Sequence, residues 1–344
     1  MKNKLIFFLF VAPILGLAMV AAHIYFFYWQ WSYQGPSVDF EVKSGETFAQ
    51  INYRLSKSGL ISNPRIFHHF TRYKNQVNRI NQGIFQVNPG MKMEDVLALL
   101  TGPGKLPMVV LPEGKNLYEY AAIFEDAKIT TKEDFIKSCF KYEILNEFGI
   151  TSQSAEGFLF PNSYRFAPST PADTVVKSLI KSFFEQTDQL PWEMSKWSKE
   201  QVVTLASVVE KETGAAWERG RIAGVFMNRL KKGMMLQSDP TTIYGIWKRF
   251  NGNLRKSDLQ ETTPYNTYKI KGLPQGPIAN PGLAAIKAVL EPEQNNYIFF
   301  VSKNDGTHVF SESLGQHNRA VDYYQKNPAQ RKGKSWRQLQ QSAQ

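Results

Sequence analysis

The sequence has one cysteine, Cys139, in 344 residues. A single thiol excludes an intrachain disulfide and a cysteine zinc cluster, and a buried small hydrophobe is its ordinary role. The five histidines show no metal-ligand spacing: His68 and His69 are adjacent, and there is no HExxH. No metal and no cofactor are expected. Negative charge is in short supply, with 30 Asp and Glu against 41 Lys and Arg, a net charge of +11. That excess suits an anionic partner such as nucleic acid, a membrane surface or an acidic wall polymer. No dense Lys/Arg cluster or RNA-recognition signature is present, so nucleic acid is set aside.

Charge is also missing from the first segment. From Leu5 to Tyr28 there is no formal charge except on His23. As a helix this run would be ~36 Å long, enough for a bilayer core of ~30 Å. Lys2 and Lys4 precede it, and Tyr25, Tyr28, Trp29, Trp31 and Tyr33 follow as an interfacial belt would. The expectation is a retained single-pass anchor with a cytoplasmic N-terminus in the cytoplasmic (inner) membrane and the remainder outside the cytoplasm. A signal peptide cleaved near Ala22 is the competing reading.

A strand, a glycine turn and an amphipathic helix recur three times. "FEVKSGETFAQINYRL" begins at Phe40, "FQVNPGMKMEDVLALL" at Phe85 and "VVLPEGKNLYEYAAIF" at Val109. Gly45, Gly90 and Gly114 provide the turns. The predicted fold class is α+β: an N-terminal transmembrane helix, a small LysM-like α+β module and a larger mixed α/β catalytic domain. The boundaries are 1–36 for the stub and anchor, 37–106 for the module, 107–327 for the catalytic domain and 328–344 for a polar, basic tail. The module's strand–helix–helix–strand order suits either glycan binding or a spacer.

"WSKEQVVTLASVVEKETG" encodes a helix with readable ends. Ser198 and Gln201 form a capping box, and Gly214 is the C′ stop. On a helical wheel Glu210 lies at about 80°, between Ala206 and Val203 in the apolar arc. Glu212 lies at about 280°, on the other flank. A carboxyl on an apolar face either finds a cation or has its pKa raised into the range of a general acid. Arg219, Arg221 and Arg229 are the available cations. Glu218, beyond the stop, reads as a first-turn acid of the next helix. Polar and aromatic loops follow: "LQSDPTTIY" with Gln237, Asp239 and Tyr244, "TPYNTYKIKGLPQGPIANPG" with Tyr265, Asn266 and Tyr268, and, upstream, "AEGFLFPNSYRF" with Glu156 and Asn162. Aromatic faces and amides are sugar-cleft chemistry.

"ASVVEKET", "VFMNRL", "LQSDPT", "YNTY", "GLPQGPIANPG" and "HVFSESLGQHN", with "EGFLFP" upstream, resemble in order the endolytic murein transglycosylases, the MltG or YceG-like family. The resemblance implies that Glu210 is the catalytic carboxyl of the "EKE" motif and Glu212 its support. It also implies that Glu156, Asn162, Gln237, Asp239, Tyr244, Tyr265, Asn266, Tyr268 and Asn318 line a cleft for peptidoglycan glycan strands. One departure is "FPNSY", where the family often has "FPDTY", which leaves Asn162 hydrogen bonding but no acid role. The implied activity is non-hydrolytic cleavage of the MurNAc–GlcNAc bond in nascent strands, leaving 1,6-anhydro-MurNAc ends, with wall synthases as partners. A hydrolase using Asp239 or Glu212 as second carboxylate and a non-catalytic wall-binding protein are the alternatives.

Overall fold

The computed structural model describes residues 10–26 and 30–327. The expected tail over 328–344 lies outside them. The chain is α+β, with many helices and small two-stranded sheets. It divides into two compact units. The first comprises 1–109, 126–130 and 165–171; the second comprises 110–125, 131–164 and 172–344.

The expected membrane span is corrected. Among the described residues no helix is long and apolar enough to cross a membrane. Helix α1, Ala12–Tyr25, has 14 residues, ~21 Å at 1.5 Å per residue. Pro13 occupies its first turn, and beyond its end the Trp31 amide donates to the Phe26 carbonyl at 2.9 Å. The belt reading changes with it. Tyr28 and Trp29 lie outside the described residues. Tyr33 is buried in the core of the first unit, its hydroxyl donating to the Pro36 carbonyl at 2.9 Å, and Trp31 packs against that core.

In the first unit β1 (Val38–Val42), α2 (Phe48–Lys57), α3 (Pro64–Tyr73), β2 (Gly83–Val87) and α4 (Met93–Thr101) follow in order. The strands pair antiparallel, with Phe40 opposite Phe85 and Val38 opposite Val87. The alternate residues Phe40, Val42, Phe85 and Val87 face the core and meet Ile51, Leu55, Phe67, Val96 and Leu100 from the helices. Thr47 caps α2 through a box with Gln50. The three recurrent turn glycines have φ of +74° at Gly45, +85° at Gly90 and +74° at Gly114.

Strands β3 (Met108–Val110) and β4 (Ser163–Arg165) fall where the chain passes from one unit to the other. The second unit contains α5 (Leu117–Asp126), α6 (Lys132–Cys139), α7 (Tyr142–Glu147), α8 (Ala172–Thr187), α9 (Lys199–Glu212), α10 (Arg219–Lys231), α11 (Asp239–Gly245), α12 (Lys256–Gln260), α13 (Leu283–Leu290), the hairpin β5–β6 (Phe299–Ser302 and His308–Ser311) and α14 (Leu314–Val321). Helix α9 is central and packs on α10, α11 and α13. Every residue from Val202 to Val209 is buried, Thr204 and Ser207 included. The Ser207 hydroxyl is satisfied within the chain: Ser207 Oγ donates to the Thr204 carbonyl at 2.7 Å and accepts from the Ile278 amide at 3.0 Å.

Candidate active site

Helix α9 starts at the Ser198–Gln201 capping box. Because it is enclosed on all sides, the apolar arc is not a single face, and long-range partners decide what each glutamate does. Glu210 stands at the rim of the buried stretch, its side chain 7% exposed. Its Oε1 accepts from Arg219 Nη2 at 3.1 Å, and its Oε2 accepts from the Gly282 amide at 3.0 Å. Of the three candidate cations, Arg219 is therefore the partner. Gly282 is the N-cap of α13, so the carboxyl also sits at a helix N-terminus, where negative charge is favoured.

A second carboxyl shares this corner. Arg219 Nη2 lies 3.7 Å from Glu113 Oε2. Glu113 is half exposed, and its pKa is raised by burial and by the Glu210 charge, against the pull of Arg219. A Cβ on Gly282 would overlap the Glu113 carboxyl. Lys211 Nζ donates to the Gly114 carbonyl at 3.1 Å and ties the Glu113 turn to α9.

Beneath the corner lies Asn280, fully buried. Its Oδ1 accepts from the Gly157 and Leu159 amides at 2.8 and 3.1 Å. Its Nδ2 donates to Glu156 Oε1 at 2.9 Å and to the Lys115 carbonyl at 3.1 Å. Its carbonyl accepts from the Gly114 amide at 2.9 Å. One side chain thus joins the Glu113 turn, the "EGFLFP" segment and the loop that ends at Gly282. Glu156 is buried with it, accepting from the Leu117 amide at 3.0 Å and from the Tyr244 hydroxyl at 3.0 Å. Burial outweighs these donors and pushes its pKa up to about 8. Glu156 therefore supports the corner from below.

Glu212 faces the other way. Its Oε1 accepts from Ser238 Oγ at 2.6 Å. Burial raises its pKa to about 7, with Ser238 opposing and the Asp239 charge adding to the rise. Asp239, at the start of α11, accepts from the Tyr268 hydroxyl at 2.7 Å. Gln237 is exposed at φ +49°, its amide on the Thr267 carbonyl. Asn266 is fully buried, with Nδ2 on the Leu259 and Glu261 carbonyls and Oδ1 accepting from Thr242 Oγ1 and the Tyr268 amide. It fastens the "YNTY" loop. Asn162 is exposed, its Oδ1 accepting from the Ser163 amide at 2.8 Å in a local turn, and Asn318 is exposed on α14. Neither shares a hydrogen bond with the Glu210 corner.

Tyr244 and Tyr265 meet edge to face at 4.8 Å and line a groove of about 410 Å³. Tyr118 and Trp247, stacked at 6.2 Å, extend its aromatic wall. Arg249, also on the groove, is held by Asp258 at 2.8 Å. Glu113, Asn280, Tyr118 and Trp247 were not among the residues predicted from sequence. The signals were there: Glu113 precedes the third recurrent glycine, and Asn280 sits in the "GPIANPG" loop.

The sequence matches the YceG-like family over residues 40–323. The chain belongs to this family. It is 33% identical over 307 residues to an endolytic murein transglycosylase of Bacillus subtilis (strain 168), covering 84% of this chain and 85% of that protein. It is 27% identical over 316 residues to an endolytic murein transglycosylase of Streptococcus pneumoniae serotype 2 (strain D39), covering 81% of this chain and 57% of that longer protein. The 2.6 Å crystal structure of a YceG-like protein from Listeria monocytogenes superposes with a TM-score of 0.57 at 28% identity, covering 82% of this chain and 98% of that one. In this YceG-like chain the "EKE" glutamates lie on opposite flanks of α9, and the first of them holds the Arg219 and Gly282 contacts.

Proposed function

We propose that the chain is an endolytic peptidoglycan lytic transglycosylase, with Glu210 as its catalytic carboxyl. The supporting observation is the Glu210 corner itself: a carboxyl on the family's "EKE" helix, mostly shielded from water, fixed by a guanidinium and a backbone amide. Cleavage of the bond between MurNAc and GlcNAc needs a proton on the leaving oxygen as the C1–O bond breaks. The MurNAc 6-hydroxyl then bonds to C1 and gives its proton back to the carboxyl. One proton goes out and one returns, and no water is consumed. Arg219 and the α13 N-terminus fix the carboxyl's orientation through this exchange. The groove of Tyr118, Tyr244, Trp247 and Tyr265 holds sugar rings beside the reacting bond, as aromatic faces do. The substrate places the work outside the cytoplasm, on nascent strands beside the synthases that make them.

A hydrolase would need a second carboxyl across the same bond. Glu212 does not fill that position, because it points to Ser238 on the opposite flank of α9. The test is mass analysis of products from purified glycan strands. Anhydro ends, one water lighter than reducing ends, are expected from the native chain. Glu210→Gln is expected to lower the rate by at least ~100-fold, the usual worth of a general acid–base group. Reducing ends alone, or an unimpaired Glu210→Gln, would overturn the reading.

A further inference from the structure

We propose that Glu113 is a second catalytic carboxyl of this site, forming with Glu210 a dyad that carries one proton. The proposal deepens the transglycosylase reading and rests on it for the reaction, although the dyad itself can be observed without turnover.

The geometry is the starting point. Both carboxyls lie within 4 Å of one nitrogen, Arg219 Nη2: Glu210 at 3.1 Å and Glu113 at 3.7 Å. Gly282 brings them together on its other side, its amide on Glu210 and its missing side chain leaving the space the Glu113 carboxyl fills. Arg219 Nε is buried without a hydrogen-bond partner among the described residues, and both carboxyl contacts of the guanidinium are made by Nη2. A single guanidinium neutralises one carboxylate, and two carboxylates drawn to the same nitrogen hinder each other's ionisation. Glu210 accepts two N–H donors, as a carboxylate does. Glu113 accepts no hydrogen bond from a neighbouring amide, is 48% exposed, and has its pKa raised by burial and by Glu210. It is the half of the pair suited to hold the proton and to exchange it with solvent. The other charged or titratable groups around it are Lys211 on the Gly114 carbonyl, the Lys115–Glu119 pair at 2.7 Å, and the Tyr120 hydroxyl on the Pro112 carbonyl. The shift of Glu113 comes from burial, from Glu210 and, in the opposite sense, from Arg219.

In the reaction the dyad's proton goes to the glycosidic oxygen as the C1–O bond breaks. The 6-hydroxyl oxygen then bonds to C1, and its proton returns to the dyad. The pair ends as it began, with one proton, and neither carboxyl has to lose its proton to bulk water during the cycle.

The experiment uses the full chain with glycan strands and compares wild type, Glu113→Gln, Glu113→Asp and Glu210→Gln. Glu113→Gln is expected to lower kcat at least ~10-fold with KM within about twofold, a modest share of what acid–base groups contribute. The limb on which activity falls with rising pH is expected to move, since the pair's one proton is then left with a single carboxyl. Glu113→Asp is expected to restore part of kcat. Unchanged kcat, or a fall in kcat with an unmoved limb, overturns the proposal. If wild type forms no anhydro ends, the functional reading fails, and the dyad is then judged by carboxyl ¹³C NMR. The Glu113 titration midpoint is expected to fall in Glu210→Gln, and an unmoved midpoint overturns the dyad.

Discussion

Replacing Asn280 with alanine strips the acceptor from two buried amides, Gly157 and Leu159, and the donor from Glu156. Each buried group left unpaired costs roughly 1–3 kcal/mol. Asn280→Ala is therefore expected to lower the denaturation midpoint by several degrees and to lose activity with it, because the side chain no longer ties Glu156 and the "EGFLFP" segment to the Lys115 carbonyl. A melting temperature equal to wild type would show that the network is dispensable. Glu156 supplies a pH prediction. Its folded pKa, about 8, lies well above the ordinary carboxyl value of 4.5. The folded state then holds a proton that the unfolded chain gives up, so stability falls as pH rises. The contribution is complete below about pH 4.5 and is lost as pH rises through about 8. Glu212, at about 7, acts in the same direction. Thermal melts across this window should show a decline in wild type and a shallower one in Glu156→Gln. Equal slopes would contradict the assignment.

At the scale of elements, the helix ends carry most of what the sequence makes legible. The Ser198–Gln201 box opens α9, and the third recurrent turn opens α5 after Gly114. These signals are local, so a one-dimensional reading finds them. Gly214 does end α9, for a different reason. It does not take the left-handed conformation; a Cβ there would overlap the backbone of Gly306 in the β5–β6 turn. Gly214→Ala is expected to cost about 1–3 kcal/mol in a denaturant titration, the usual cost of overpacking. A neutral result would mean the hairpin gives way freely. Helix α11, read as loop, was hidden because its seven residues begin at Asp239-Pro240 and are held by distant partners, Thr241 on Thr267 at 2.8 Å and Thr242 on Asn266 at 3.0 Å. Glu218 stands at the start of α10, as read, but its burial was hidden for the same reason. It is buried, and His308 supplies its partners through the amide at 3.1 Å and Nδ1 at 2.8 Å. The wheel singled out Glu210, but it could not see Glu113, whose place in the site depends on Arg219 and Gly282, more than a hundred residues away.

For the molecule as a whole, the net charge of +11 suits an anionic wall polymer, while the proposed recognition of sugar rings falls to the aromatic groove in the second unit. Trp247→Ala is expected to raise KM for glycan strands about 10-fold, or about 1.4 kcal/mol of binding, and to leave kcat within about twofold, since it removes an apolar face of the groove and no reacting group. A change confined to kcat would place Trp247 in the chemistry instead. The Asn280 junction has a consequence for how the chain is made. A ribosome delivers Glu113, Glu156 and Glu210 long before it delivers Asn280 and Gly282. Until that loop emerges, Glu156 lacks its amide partner and Glu210 lacks its backbone donor. Contacts of such sequence separation form late. The second unit is therefore expected to keep its apolar helices unsealed until the Asn280–Gly282 loop has emerged, and the proposed site is complete only then.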